Sequence, residues 1–219
     1  MSEEKTPSEK SESKSRKFNL KFGYRDKETP EIVHREVEIS CRPTGADFFK
    51  AVEDGTDDGA ANTRINLSLI KSAITKFGDI TMPVPVTVLF SLNEIDEEKL
   101  NDEYLLFLVA TQPETEQKIL EDNRAQLSFG IERDGVKYQI VEFGNLLNGY
   151  DRMKIQSETQ DEWVFQAKKM AREVVKISTL DGAHSVDDEL TFEEVEAMDV
   201  TDLLVLRETE ARWLNSFRD

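Results

Sequence analysis

From Phe18 onward, apolar and polar positions alternate: Phe18, Leu20, Phe22 and Tyr24 fall on one face of an extended chain. A period of two predicts a half-buried β-strand. A polar turn containing Thr29-Pro30 leads to a second alternating run, Val33, Arg35, Val37 and Ile39, so the pair predicts a β-hairpin. Thr44 to Asp47 starts a short helix carrying Phe48, Phe49 and Val52, which ends in the acidic loop Glu53-Asp54-Gly55-Thr56-Asp57-Asp58-Gly59. The period then changes. From Thr63 to Phe77 the apolar residues Leu67, Ile70, Ile74 and Phe77 have the 3-4-3 spacing of one helix face, with Gly78 as its stop. Pro83 and Pro85 punctuate the chain, and a further helix from Asp96 to about Val109 carries Leu100, Tyr104, Phe107 and Leu108 on one side.

The second half follows the same plan. Leu127, Phe129 and Ile131 alternate, Asp134-Gly135 forms a tight turn, and Val136, Tyr138 and Ile140 alternate back. Asp-Gly between alternating runs is a strong hairpin signal, because both turn residues tolerate positive φ. A helix is expected from about Asp161 to Ile177. Thr191-Phe192-Glu193-Glu194 reads as a capping box, with Leu190 and Val195 as its hydrophobic staple, and a last helix runs to Phe217.

The halves superpose at fixed offsets. Leu20-x-Phe22-Gly23 meets Leu127-x-Phe129-Gly130, 107 residues on, and Leu67, Ile70, Ile74 and Phe77 meet Ala167, Met170, Val174 and Ile177, 100 on. Leu89, Leu92, Asp96, Leu100, Phe107 and Leu108 meet Val195, Met198, Asp202, Leu206, Trp213 and Leu214, 106 on. Asn93 and Asp199, each three residues before one of those acids, look like helix N-caps. The expectation is an α+β fold of two similar small modules, residues 17–118 and 119–219. Each is a β-hairpin packed on several short helices, and the two are related by an internal duplication. Residues 1–16, almost devoid of apolar side chains, are expected to form a disordered tail.

Charge narrows the function classes. Forty-five acidic residues against 28 basic ones leave a net charge of −17, with no Lys/Arg-rich run, which argues against nucleic acid as a direct partner. A basic protein partner and a merely well-solvated surface both fit the acidity. No apolar run approaches the roughly 20 residues of a membrane helix, and the N-terminus lacks the apolar core of a signal peptide, so no membrane partner and a cytoplasmic location are expected. A single cysteine, Cys41, allows no intrachain disulfide.

Candidate chemistry is sparse. Cys41 as a nucleophile would need a nearby base, and the chain offers only His34 and His184; two histidines and one cysteine also make no metal-ligand set. The acidic loop at 53–59 gives no register with the calcium-loop oxygens and glycine in place. Gly-rich phosphate cradles and a G-x-S-x-G elbow are absent from the sequence. Carboxylate pairs such as Asp57/Asp58 and Asp187/Asp188 sit in polar runs, where water keeps them ordinary. Neither an enzyme nor a cofactor is expected.

Three stretches, His34-Arg35-Glu36-Val37, Cys41-Arg42-Pro43-Thr44-x-x-Asp47 and Ala73-Ile74-x-x-Phe77-Gly78, stand together with Leu89-x-x-Leu92-x-x-x-Asp96-x-x-x-Leu100-x-x-x-Tyr104. Over residues 30–108 the combination resembles the tail assembly chaperones of tailed bacteriophages, and the baseplate assembly proteins of contractile-tailed phages have a similar outline. The resemblance implies a non-enzymatic role: binding tape-measure, tail-tube or baseplate proteins in the bacterial host cytoplasm during virion assembly. A structural tail or baseplate component of the virion and an unrelated acidic adaptor are the alternatives. The acidic N-terminal tail and the second module depart from the family outline. Partner-binding candidates are Phe48 and Phe49 beside the first hairpin, and Trp213 and Phe217 on the last helix; core packing is the competing reading for all four.

Overall fold

Residues 15–27, 29–55 and 61–217 are described by the computed structural model. The chain is α+β, with two modules built on separate sheets. In the first, β1 (Arg16–Arg25), β2 (Val33–Ile39) and β3 (Ile74–Phe77) form an antiparallel sheet in the order β1-β2-β3. Its helices are α1 (Gly45–Gly55), α2 (Ala61–Ala73), α3 (Val86–Phe90) and α4 (Glu94–Ala110). The second has β4 (Lys118–Glu121), β5 (Arg124–Arg133), β6 (Val136–Phe143), β7 (Val174–Ser178) and β8 (Ser185–Val186), in chain order across the sheet. Around it lie α5 (Gly149–Glu158), α6 (Glu162–Glu173), α7 (Phe192–Ala197) and α8 (Val200–Asn215).

Two expected helices are shorter than their apolar spacing suggested. The helix expected over 63–77 ends at Ala73, and the one expected to reach Ile177 ends at Glu173; β3 and β7 follow at once and turn each hairpin into a larger sheet. The misleading feature is a bulge. Val37 pairs with Phe77 and Ile39 with Ile74, so two residues of β2 span three of β3, and Ile74 and Phe77 both reach the core three positions apart. Phe143↔Val174 and Val141↔Ile177 repeat that irregularity. The expected tail falls outside the described residues up to position 14, whereas Arg16 already pairs with Ile39 in β1. Most of the acidic loop, 56–60, also lies outside them.

A second irregularity ties each hairpin to its last long helix. The β1–β2 register breaks between Asn19 and Tyr24, leaving three backbone N–H groups without strand partners, and the carboxylate of Asp96 takes them: Lys21 at 2.7 Å, Phe22 at 3.0 Å and Gly23 at 2.7 Å. The β5–β6 register breaks between Gln126 and Ile131, and Asp202 takes the N–H groups of Ser128, Phe129 and Gly130 at 2.7, 2.8 and 2.9 Å. Gly23 and Gly130 hold φ of 74° and 75°, and a Cβ on either would collide with the carbonyl of His34 or Tyr138. Asp134 and Gly135, at φ 54° and 75°, make the tight β5–β6 turn.

The first core gathers Leu20, Val37, Ile39, Ile70, Phe77, Leu89, Leu100 and Phe107; the second gathers Leu127, Val141, Phe143, Met170, Ile177, Leu206 and Trp213. One element crosses over. Helix α1 follows β2 in the first module, yet Phe48, Phe49 and Val52 are buried in the second core.

Candidate functional site

The corner Arg42-Pro43-Thr44 carries α1 onto the second module. Gly45 N–H donates to the Met198 carbonyl at 2.8 Å and Val200 N–H to the Pro43 carbonyl at 3.1 Å, with Thr44 and Asp199 forming an isolated bridge. Arg42 Nε donates to Asp199 at 2.6 Å, its Nη1 donates to the Leu108 carbonyl and Thr111, and its guanidinium lies 4.4 Å from the Phe129 ring centroid. Further along, Phe48 meets Trp163 edge-on and Phe49 stacks on Phe192. Burial of each phenyl contributes about 1.5–3 kcal/mol. This is a built interface inside one chain, and it consumes two of the four expected partner-binding residues.

Trp213 is also interior, stacked on Phe143, while Phe217 remains exposed against the edge of Trp213. The structure therefore brings Phe48 and Phe49 together, and separately Trp213 and Phe217, without joining the pairs into one surface. Cys41 is exposed.

Buried carboxylates are held in place by donors. At Asp96 burial opposes ionisation, but the N–H groups of Gly23, Lys21 and Phe22 outweigh it and hold the pKa below the ordinary value. At Asp202 burial outweighs the same three bonds, with repulsion from Asp199 added, and the pKa is raised. Glu173 is nearly inaccessible. Burial, reinforced by a hydrogen bond with Glu210 and opposed by Lys169, pushes its pKa up to about 7. Lys169 bridges Glu173 at 3.0 Å and Glu210 at 2.5 Å. The cleft beside this cluster, lined by Phe49, Trp163, Met170, Arg207 and Glu210, measures about 80 Å³, below the roughly 300 Å³ or more of a small-molecule site. Among the described residues no group of three His, Cys, Asp or Glu could hold a metal, and no helix is long and apolar enough to cross a membrane.

What stays uncovered is a face of α4. Leu100, Tyr104 and Phe107 point into the core, while Leu105, Leu106 and Val109, about a third of a turn or more away, are exposed, Val109 to 70%. In α8 the corresponding positions are Ala211, Arg212 and Asn215. The apolar stripe is thus confined to the first module. Its signal is present in the sequence, since residues 94–110 hold more large apolar side chains than one helix face can bury.

No family model, curated protein or solved structure matches the chain.

Proposed function

We propose that this protein is a non-enzymatic assembly factor of a phage-type tail or baseplate, which binds a tape-measure or other tail protein in the bacterial host cytoplasm until assembly. The exposed stripe Leu105, Leu106 and Val109 carries the reading: three apolar side chains on one turn and a half of helix suit the apolar face of a partner helix. The acidity of the chain, net −17, favours a partner whose flanks are basic. Its buried carboxylates are engaged by backbone N–H groups or by Lys169, an arrangement suited to holding a fold together. The resemblance of residues 30–108 to tail assembly chaperones supplies the class of partner.

Co-expression with a long helical tape-measure protein and a tail-tube protein of a tailed phage tests the reading. The chain is expected to keep the tape-measure protein in the supernatant, with L106D and V109D losing that effect while remaining folded. A tape-measure protein equally insoluble with and without the chain would refute the reading. Stoichiometric recovery of the chain from purified particles would replace it with a structural virion role.

A further inference from the structure

We propose that this chain assembles head to tail: α5 of one copy seats on the first module of the next, in the way α1 seats on the second module within the chain. The proposal rests on the repeat and is independent of the partner proposed above.

Helices α1 and α5 hold the same place. Each follows the central strand of its sheet and opens with glycine, Gly45 or Gly149, after a side-chain cap, Thr44 or Asn148. Each corner is held by the same backbone bonds, Ser40 and Cys41 N–H to the Ala73 carbonyl in one and Gly144 and Asn145 N–H to the Glu173 carbonyl in the other. Yet α1 covers α6, α7 and α8, whereas the corresponding surface on α2 and α4 is an open groove of about 560 Å³, lined by Thr63, Asn66, Leu67, Glu94, Glu98 and Asn101.

Gly149 gives the sharpest sign. A Cβ on Gly45 would strike the carbonyl of Val195, so α1 can seat only with glycine there; a Cβ on Gly149 would meet nothing within 4 Å. The glycine at 149 has no steric reason within one chain. It acquires one if backbone from another copy comes as close to it as the Val195 carbonyl comes to Gly45.

The side chains change in matched sets. Arg42 meets Asp199, Thr201 and the Phe129 ring. Their counterparts are Leu146, exposed to 51%, and Asn93, Ile95 and Phe22, the last two exposed to 50% and 47%. An ionic contact becomes an apolar one on both sides. Phe48 meets Trp163 and Arg207; the counterparts are Arg152 facing Thr63 and Asn101, with Glu97 and Glu98 beside them. An aromatic contact becomes polar and charge-complementary. Phe49 on Phe192 becomes Met153, exposed to 63%, on Val86. Because the two surfaces differ, the contact is heterologous and extends into rings or open chains rather than stopping at a symmetric pair.

Sedimentation of the full chain over a wide concentration range tests this. The wild type is expected to grow past two copies. G149V, whose Cβ meets nothing within 4 Å in one chain, should melt with the wild type yet sediment as one copy; N66R, which fills the groove and repels Arg152, should do the same. Mixed one to one, the two variants should form pairs and nothing larger, since each retains the surface the other lacks. A wild type that stays a single copy up to the highest concentration, growth that stops at two, or G149V associating as the wild type does would each overturn the proposal. So would failure of the mixture to pair.

Discussion

Arg42 and Asp199, 157 residues apart in sequence, form an ion pair between the two modules, with Nε 2.6 Å from Oδ2 and both side chains largely buried. Each also has local duties. Asp199 caps α8 through Thr201 N–H, and Arg42 holds the end of α4 through the Leu108 carbonyl.

Removing one member of the pair leaves the other charge buried. R42M is expected to lower unfolding free energy by about 3 kcal/mol, and D199N to cost a comparable amount. In urea titrations the double variant should lose clearly less than the two single losses together. Additive losses would show that the two residues act separately.

Asp96 and Asp202 each satisfy three N–H groups that the strand ladder cannot. D96A and D202A should each cost about 2–4 kcal/mol, and amide exchange should quicken at Lys21, Phe22 and Gly23 or at Ser128, Phe129 and Gly130 respectively. The acid limbs should differ. Asp96 has a lowered folded pKa, so its contribution is present above the ordinary aspartate value and is lost as pH falls through the lowered one. D96N should therefore show a shallower stability loss than the wild type below about pH 4.

Glu173 has the opposite sign. Its folded pKa, about 7, lies above the ordinary glutamate value of 4.5, so the favourable contribution of its protonated form is fully present below that value and is lost as pH rises through 7. E173Q mimics the protonated form. Thermal melts should place E173Q above the wild type at pH 8, by about 1–3 kcal/mol or several degrees, and level with it at pH 4. An equal offset at both pH values would mean that the substitution acts through packing.

Phe49 tests the crossing of α1. F49A should cost about 3–5 kcal/mol and expose the Trp163 indole to quenchers. F49M, the residue type found at the equivalent position of α5, should cost under about 1.5 kcal/mol. Should F49A melt with the wild type, α1 would not be seated on the second module in solution.

Much of the fold is written locally. The strand around Phe18 and Leu20, the Asp134-Gly135 turn and the Thr191–Glu194 capping box each form where they are expected, although the bulge bound by Asp96 breaks the alternation and leaves Phe22 exposed. The offsets that align the halves in the sequence are also those at which the Asp96 and Asp202 bonds recur. Long-range facts were less visible. Ile74 and Phe77 keep helix spacing because a bulge shares it, and nothing in the phase of Phe48 and Phe49 says which of two cores will receive them. Helix α5 leaves no apolar period to read in the sequence, because only Ile155 on it is buried. The α4 stripe is hidden for the reverse reason: Leu100, Tyr104, Phe107 and Leu108 already complete a buried face, and Leu105, Leu106 and Val109 fall outside it.

The crossing of α1 orders events at the ribosome. Phe48 and Phe49 are synthesised more than a hundred residues before Trp163 and Phe192, so the nascent N-terminal half leaves the exit tunnel with two uncovered phenyl rings and waits for their socket. A polypeptide stopped near residue 115 would display a bare aromatic ridge, a natural handle for quality control. A separately made C-terminal half would present the empty socket, and the two pieces, mixed, should find each other without a peptide bond between them.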